Sequence, residues 1–264
     1  MTVKDEKNTK DYEFLLDLIQ NRSSIRSLKS DPIPQGYTEK VVEAGRWAMS
    51  GANSQPWEFI IVRDPEKKKA ICEAYKEVNI DYAYWMEQQR IPELRHPSFH
   101  LADYSPDPQE QLAHLKSRSK WHEAPEIIVV IGDGRRQWGT VMAGHTFGRD
   151  QTHLTDGLAN CCQIMHLTAA SLGLGTQWIT VHIQDMYKKI LDIPDIYTVY
   201  LIIPIGYPAV EPKRGVRREL SEMVHYDGYD QSKYLSNEQI LQYIAGLRGK
   251  TVGKYRISYG EGDK

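Results

Sequence analysis

A chain of 264 residues is long enough for one sizeable domain, which at this length buries roughly 70–75% of its unfolded surface. Its 33 basic and 35 acidic side chains leave a formal net charge of −2, which excludes the one-signed field of a nucleic-acid or anionic-membrane binder. No apolar run reaches the ~18 residues that span a bilayer, and the charged opening MTVKDEKNTK has no apolar secretory segment, so the expected compartment is the cytoplasm.

The first predicted element is a helix over Tyr12–Asn21, with Phe14, Leu15, Leu18 and Ile19 on one face. It ends at a compact polar cluster, RSSIR, which gathers Arg22, Ser23, Ser24 and Arg26 within five residues. Guanidinium forks and hydroxyls so close together suit a phosphate; a solvated helix end accounts for them equally well. A second helix follows DPIPQGYT, with Thr38 as its cap and Val41, Val42, Ala44, Gly45 and Ala48 on its buried side.

Next comes AMSGANSQPWEF, a run of small and amide side chains closed by Pro56 and Trp57. A loop that only turned the chain would not need that composition, so something is expected to lie against it. The runs WEFIIV, EIIVVIG and VYLIIPIG read as strands. Long helical stretches separate them, and that alternation predicts a mixed α/β layer with a covered sheet.

Residues 75–122 are aromatic and polar, interrupted by Pro92, Pro97, Pro106 and Pro108, and read as a lid or excursion. Leu154–Leu174 is nearly apolar all round and predicts a central helix packed on both sides. The C-terminal NEQILQYIAGLRGKTVGKYRIS offers a short amphipathic helix and then an alternating strand with no hairpin partner nearby. Such a strand pairs elsewhere, and pairing with a second copy predicts a homodimer with exchanged tails.

Cys72, Cys161 and Cys162 are odd in number, lack CxxC spacing and read as buried thiols. His145, His153, His166 and His182 fall into no metal spacing, so no metal is expected, and His166 on its apolar helix reads as a satisfied core residue. PKRGVRREL, with Lys213, Arg214, Arg217 and Arg218, reads alone as a surface charge run. Nucleotide motifs of the GxGxxG and GxxxxGK[ST] types are absent, as is a nucleophile elbow. These absences favour chemistry borrowed from a cofactor.

Five stretches, in order, carry a resemblance: RSSIR for RRSxR, DPIP for a pair of spacing prolines, SGANSQPWEFIIV for PSGxNxQPWxFxVV, EAPEIIVVIGD for a strand after Ala-Pro, and GLGTQWI for a flavin-edge segment. Together they resemble the nitroreductase superfamily of flavin mononucleotide (FMN) enzymes. The resemblance implies an α+β fold, with a mixed, mainly antiparallel sheet flanked by helices. It implies a homodimer with two FMN molecules at the subunit interface; the chain is read as one domain over 1–264, with a lid insertion at about 75–122 and a dimer-embracing extension at about 230–264 that the resemblance does not cover.

Carried onto this chain, the resemblance gives the phosphate to Arg22 and Ser24, with Arg217 or Arg218; Ser23, also counted among the cofactor-binding residues, stands where the family usually has a second Arg. Arg26 falls on the N1 and C2-carbonyl side of the flavin, where a cation stabilises the negative charge of the reduced ring. Ser50, Gly51 and Asn53 approach from the partner subunit, and Gln163 matches a Gln of the central helix. Trp178, Ile179, Thr180 and Val181 run along the reactive edge, with a backbone N–H near N5. Met49 and Val181 replace the family's usual Pro and Gly.

The implied activity is ping-pong transfer from NADH or NADPH to a small aromatic acceptor such as a nitroaromatic or quinone, with neither nucleic acid nor membrane as a partner. A second reading follows from QWITV, which resembles the branches holding reductive dehalogenases of iodotyrosine type and the flavin-cleaving enzyme of cobalamin-ligand synthesis. A Thr180 hydroxyl donating to N5 favours one-electron steps, so Thr180 joins Arg26 as a catalytic candidate. Tyr75, Tyr82, Tyr84 and Trp85 of the lid would then cover a phenolic substrate. A flavin-binding protein without turnover is the third reading.

Overall fold

The computed structural model describes residues 3–83, 121–136, 150–215, 217–240 and 242–243. The three expected strands form at the expected places: β1 (Trp57–Val62), β2 (Glu126–Asp133) and, after two short strands, β5 (Tyr197–Gly206). All are rich in β-branched residues that suit a pleated surface packed on both faces. β3 (Gly175–Thr176) and β4 (Ile179–Thr180) complete a five-stranded sheet of order β1-β2-β5-β3, with β4 also pairing β5.

Every ladder between named strands is antiparallel. The alternation of strands and helices had pointed to an α/β layer; the fold is α+β instead, as the resemblance implied. Helix-length spacing does not fix strand direction, which depends on the end of the sheet at which each connection re-enters. Among the described residues the parallel pairing is a single isolated bridge, Ser24 to Thr176.

Helices cover both faces of the sheet. On one lie α2 (Tyr37–Gly45) and α4 (Asp150–Ser171), which enclose Val41, Leu158, Cys161, Cys162, Met165 and Ala169 with Ile128, Val130, Leu201, Ile203 and Ile205. On the other lie α3 (Pro65–Ala83) and α5 (Asp185–Leu191), with Ile71, Cys72, Trp121 and Tyr187 against Ile127, Val129, Val199 and Ile202. Gly45 sets how closely α2 and α4 approach, since a Cβ there would stand 2.5 Å from Met165 Cγ. The three thiols are buried and unbridged, and desolvation pushes Cys72 up to about 11 and Cys161 up to about 12.

Three local expectations are revised. Thr38 is not the cap of α2: Gly36 holds that position with φ 82°, a left-handed conformation that costs glycine little, while Thr38 lies buried inside the helix. Helix α1 (Val3–Asn21) starts well before Tyr12, and its Tyr12, Phe14, Leu15 and Ile19 are exposed. Helix α4 is packed on the sheet and on α2, yet Asp156, Asn160 and Gln163 leave a polar strip open.

The chain divides into two compact units, Met1–Asp81 with Leu115–Arg214, and Tyr82–His114 with Gly215–Lys264. The described part of the second holds short 3₁₀ turns at Leu220–Glu222 and Gln231–Lys233. The ends of the expected 75–122 lid are framework: Tyr75 continues α3 and meets Trp121 edge to face at 5.6 Å. Residues 76–83 of that lid, Tyr82 among them, also continue α3, while 84–120, including Tyr84 and Trp85, and the expected tail strand lie outside the described residues. Among the described residues no helix is long and apolar enough to cross a membrane.

Candidate functional site

Directly after α1 the chain becomes an extra edge of the sheet. Ile25 N–H donates to Thr176 O at 2.9 Å, Lys29 N–H to Tyr207 O at 2.8 Å, and Ala209 N–H to Ser27 O at 3.0 Å. Ile25 and Leu28 are the buried anchors of this segment. Between them Ser24 and Arg26 are exposed, and Arg22 and Ser23 are half-buried. A cluster that read equally well as a helix end is therefore fixed by backbone hydrogen bonds beside the strand of GTQWIT.

That second motif turns two of its residues outward. Ile179 is only 1% exposed and packs with Val181 into the core on the α3 and α5 side. Trp178, just before β4, and Thr180 on it are both exposed, as the alternation of an extended segment around buried Ile179 sends them. Of the four expected edge residues, Trp178 and Thr180 can present side chains to a ligand, and Ile179 and Val181 only backbone.

The loop of Ser50, Gly51 and Asn53 is seated on α4. Asn160 Nδ2 donates to Met49 O at 3.2 Å, Ser50 Oγ accepts from Gln55 N–H at 3.0 Å, and a Cβ on Gly157 would stand 3.2 Å from that of Ser50. Pro56 and Trp57 are buried as anchors, while Gly51 and Asn53 are exposed. Three non-glycine residues hold positive φ: Ala52 and Asn53 at 52° and Gln55 at 45°. Left-handed backbone at an alanine costs roughly 1–2 kcal/mol, so the packing around the loop holds it in a shape its own residues do not prefer. Ala52→Gly is expected to raise stability by about 0.5–1 kcal/mol, the relief of strain less the entropy of a glycine. Urea unfolding checks this, and a loss of stability would show that the loop is relaxed.

Sequence reasoning missed three residues. Asn160 ties the loop to α4, and Thr176 joins the two motifs. The third is His166, read as a satisfied core residue. It is 3% exposed and its Nδ1 shares a hydrogen bond with Thr176 Oγ1 at 2.7 Å, but its Nε2 is buried without a partner. Burial, together with the nearby Arg22 charge, lowers its pKa to about 4. A polar ring at a helical position whose neighbours are apolar was the available signal.

Arg217 and Arg218 belong to the second unit. There Arg218 reaches Glu222 at 3.4 Å and lies 5.7 Å from the Tyr243 ring, and Arg217 is exposed. A surface hollow of about 440 Å³ near α5, lined by His182, Asp185, Lys188 and Tyr197 among others, takes in none of the expected site residues.

A helix-covered antiparallel sheet, with a basic segment and a short-strand edge joined at its border, defines an α+β protein. The chain belongs to the nitroreductase family, which it matches over residues 19–207. It is 23% identical to an iodotyrosine deiodinase of Nematostella vectensis over 227 residues, 84% of this chain and 77% of the relative. To an NADH dehydrogenase of Thermus thermophilus it is 24% identical over 216 residues, 77% of this chain and 91% of the relative. A crystal structure of oxidised iodotyrosine deiodinase bound to FMN and 3-iodo-L-tyrosine shares the fold, with a TM-score of 0.62 and 20% identity, covering 81% of this chain and all of that one.

The residues present fit FMN. Exposed Ser24 and Arg26 supply a hydroxyl and a cation at the sheet edge, and Gln163 on the polar strip of α4 and Thr180 on β4 supply hydrogen-bonding groups. The small residue Gly157 makes the cradle in which the loop rests against α4.

Proposed function

We propose that the protein is an FMN-dependent oxidoreductase that draws electrons from NADH or NADPH and passes them to a small, flat aromatic acceptor such as a nitroaromatic or quinone. The observation that carries this reading is the Ser24–Thr176 bridge. It sets a phosphate-type cluster beside an edge with an exposed indole and hydroxyl, as a ligand with an anionic tail and a flat ring requires.

Bound FMN would supply the electron-transfer chemistry, alternating between donor and acceptor in ping-pong order. Arg22 and Ser24 then hold the phosphate, with Ser23 beside them. Arg26 keeps positive charge where the reduced ring gathers negative charge, so its stabilisation is greatest in the reduced form. Ser50, Gly51 and Asn53 of a second copy cover the ring, which makes the working unit a homodimer. The exposed apolar stripe of α1, at Tyr12, Phe14, Leu15 and Ile19, supports association.

Purified protein is expected to be yellow, to carry one FMN per chain and to bleach anaerobically with NADH or NADPH. A colourless chain that binds no FMN at micromolar concentration overturns the reading, and a bound flavin that never bleaches turns it into one of binding without turnover.

The exposed Thr180 hydroxyl favours a second reading, reductive dehalogenation of a halogenated phenol or tyrosine; relatives that carry the deiodinase name support it. Loss of one neutral hydrogen bond costs about 0.5–1.5 kcal/mol. Thr180→Ala is thus expected to slow dehalogenation about two- to tenfold. Flavin bleaching by NAD(P)H is expected to change less, since that step relies on stacking and on Arg26. Unchanged rates with both halophenols and nitroaromatics would make Thr180 structural and leave the first reading.

A further inference from the structure

Three aromatic rings form a row that includes Trp178 of the proposed flavin edge. His166 stacks on Trp178 with centroids 5.7 Å apart and planes 29° from parallel, and Trp178 meets Tyr200 edge to face at 6.0 Å and 82°. Tyr200 is there because of a β-bulge: Val130 pairs with Leu201 and Ile131 with Val199, so Tyr200 is the extra residue on β5. Bulges re-aim a side chain, and this one ends on the indole.

At the other end of the row, the His166 ring is held by one hydrogen bond, from or to Thr176 Oγ1 at 2.7 Å. Its Nε2 is buried without a partner, so the bond to Thr176 is the hydrogen bond that orients the ring, and the indole of Trp178 stacks on it. Thr176 is also the residue whose carbonyl accepts from Ile25 N–H at the end of the RSSIR cluster. A single path of contacts thus runs from the basic segment through Thr176 and His166 to Trp178.

We propose that His166 is a positioning residue, which sets the indole of Trp178 in register with the basic segment through Thr176. A leucine of similar volume would fill the space but would offer neither a hydrogen bond nor a flat ring. An aromatic pair is directional, so His166 contributes orientation in addition to burial. The consequence for FMN rests on the function proposed above; the consequence for Trp178 does not.

The test uses full-length His166→Leu, Thr176→Val and Thr176→Ser, with Trp178→Phe as reference. The readouts are the near-ultraviolet circular dichroism contributed by Trp178 and the FMN dissociation constant. His166→Leu and Thr176→Val are expected to remove most of the Trp178 signal and to raise the dissociation constant about two- to tenfold, the value of one neutral hydrogen bond. Thr176→Ser, which keeps the hydroxyl, is expected to restore both. In a Trp178→Phe background His166→Leu should weaken FMN binding no further.

A folded His166→Leu protein with an unchanged Trp178 signal overturns the proposal. Should that variant fail to fold, Thr176→Val against Thr176→Ser decides alone, and equal Trp178 signals in those two overturn it. A wild-type chain that binds no FMN defeats the proposed function, and the Trp178 signal still decides the role of His166.

Discussion

Acidification is expected to remove about 3 kcal/mol of folding stability through His166 alone, because its pKa lies at about 4 in the folded protein against an ordinary 6.5. The folded state keeps the ring neutral while the unfolded chain takes up a proton. The contribution is therefore complete above the unfolded value of 6.5, is lost progressively as pH falls, and levels off at about 4. Asp133, held by Arg135 and Arg136, and Glu39, held by Arg63, are both depressed below their ordinary values of 3.8 and 4.5. Their contributions are present above those values and lost beneath them, so most of the His166 window stands apart.

Urea unfolding at half-unit intervals between pH 4 and 7 reads this slope, and in His166→Leu the slope should be much smaller. A wild-type slope as small as the variant's would show that the site accepts an imidazolium. Arg22→Ala should narrow the window, because the Arg22 charge is one of the two causes that lower the His166 pKa.

The same Arg22→Ala variant is expected to lose about ten- to a hundredfold in FMN affinity. Arg22 is half-buried, stands at the end of α1 and in the proposed function holds the cofactor phosphate, and removing a charge-assisted hydrogen bond costs about 1.5–3 kcal/mol. Quenching of FMN fluorescence on titration measures the affinity, and circular dichroism checks that the fold persists. The effect should diminish as salt rises, because part of it is Coulombic. Full affinity in the variant would return the cluster to a solvated helix end.

Much of the fold was legible because it rests on local pattern. β-branched runs bounded by turn residues placed β1, β2 and β5, since a strand buried on both faces needs apolar residues at consecutive positions. The apolar 154–174 run placed α4, and the absence of paired spacing marked the three thiols as buried. The proposed site was read from composition: RSSIR as suited to a phosphate, SGANSQPW as a loop with something lying against it, QWIT as an edge with a hydroxyl. In each case the residue types carry the chemistry whatever their neighbours turn out to be.

Direction, adjacency and orientation came from tertiary structure. Strand polarity depends on where connections re-enter the sheet, so α/β spacing became an antiparallel α+β sheet. Which of Trp178, Ile179, Thr180 and Val181 face outward follows from the pairing of β4 with β5. The cap of α2 went to Gly36 because the chain enters that helix with positive φ, a backbone condition that composition does not display. His166 shows the limit most clearly: its sequence neighbours are apolar and called for a core residue, and it is buried as one. What makes it more than filler is Thr176 of β3 and the Trp178 indole between β3 and β4, which meet its ring, and the bulged Tyr200 of β5, which meets that indole.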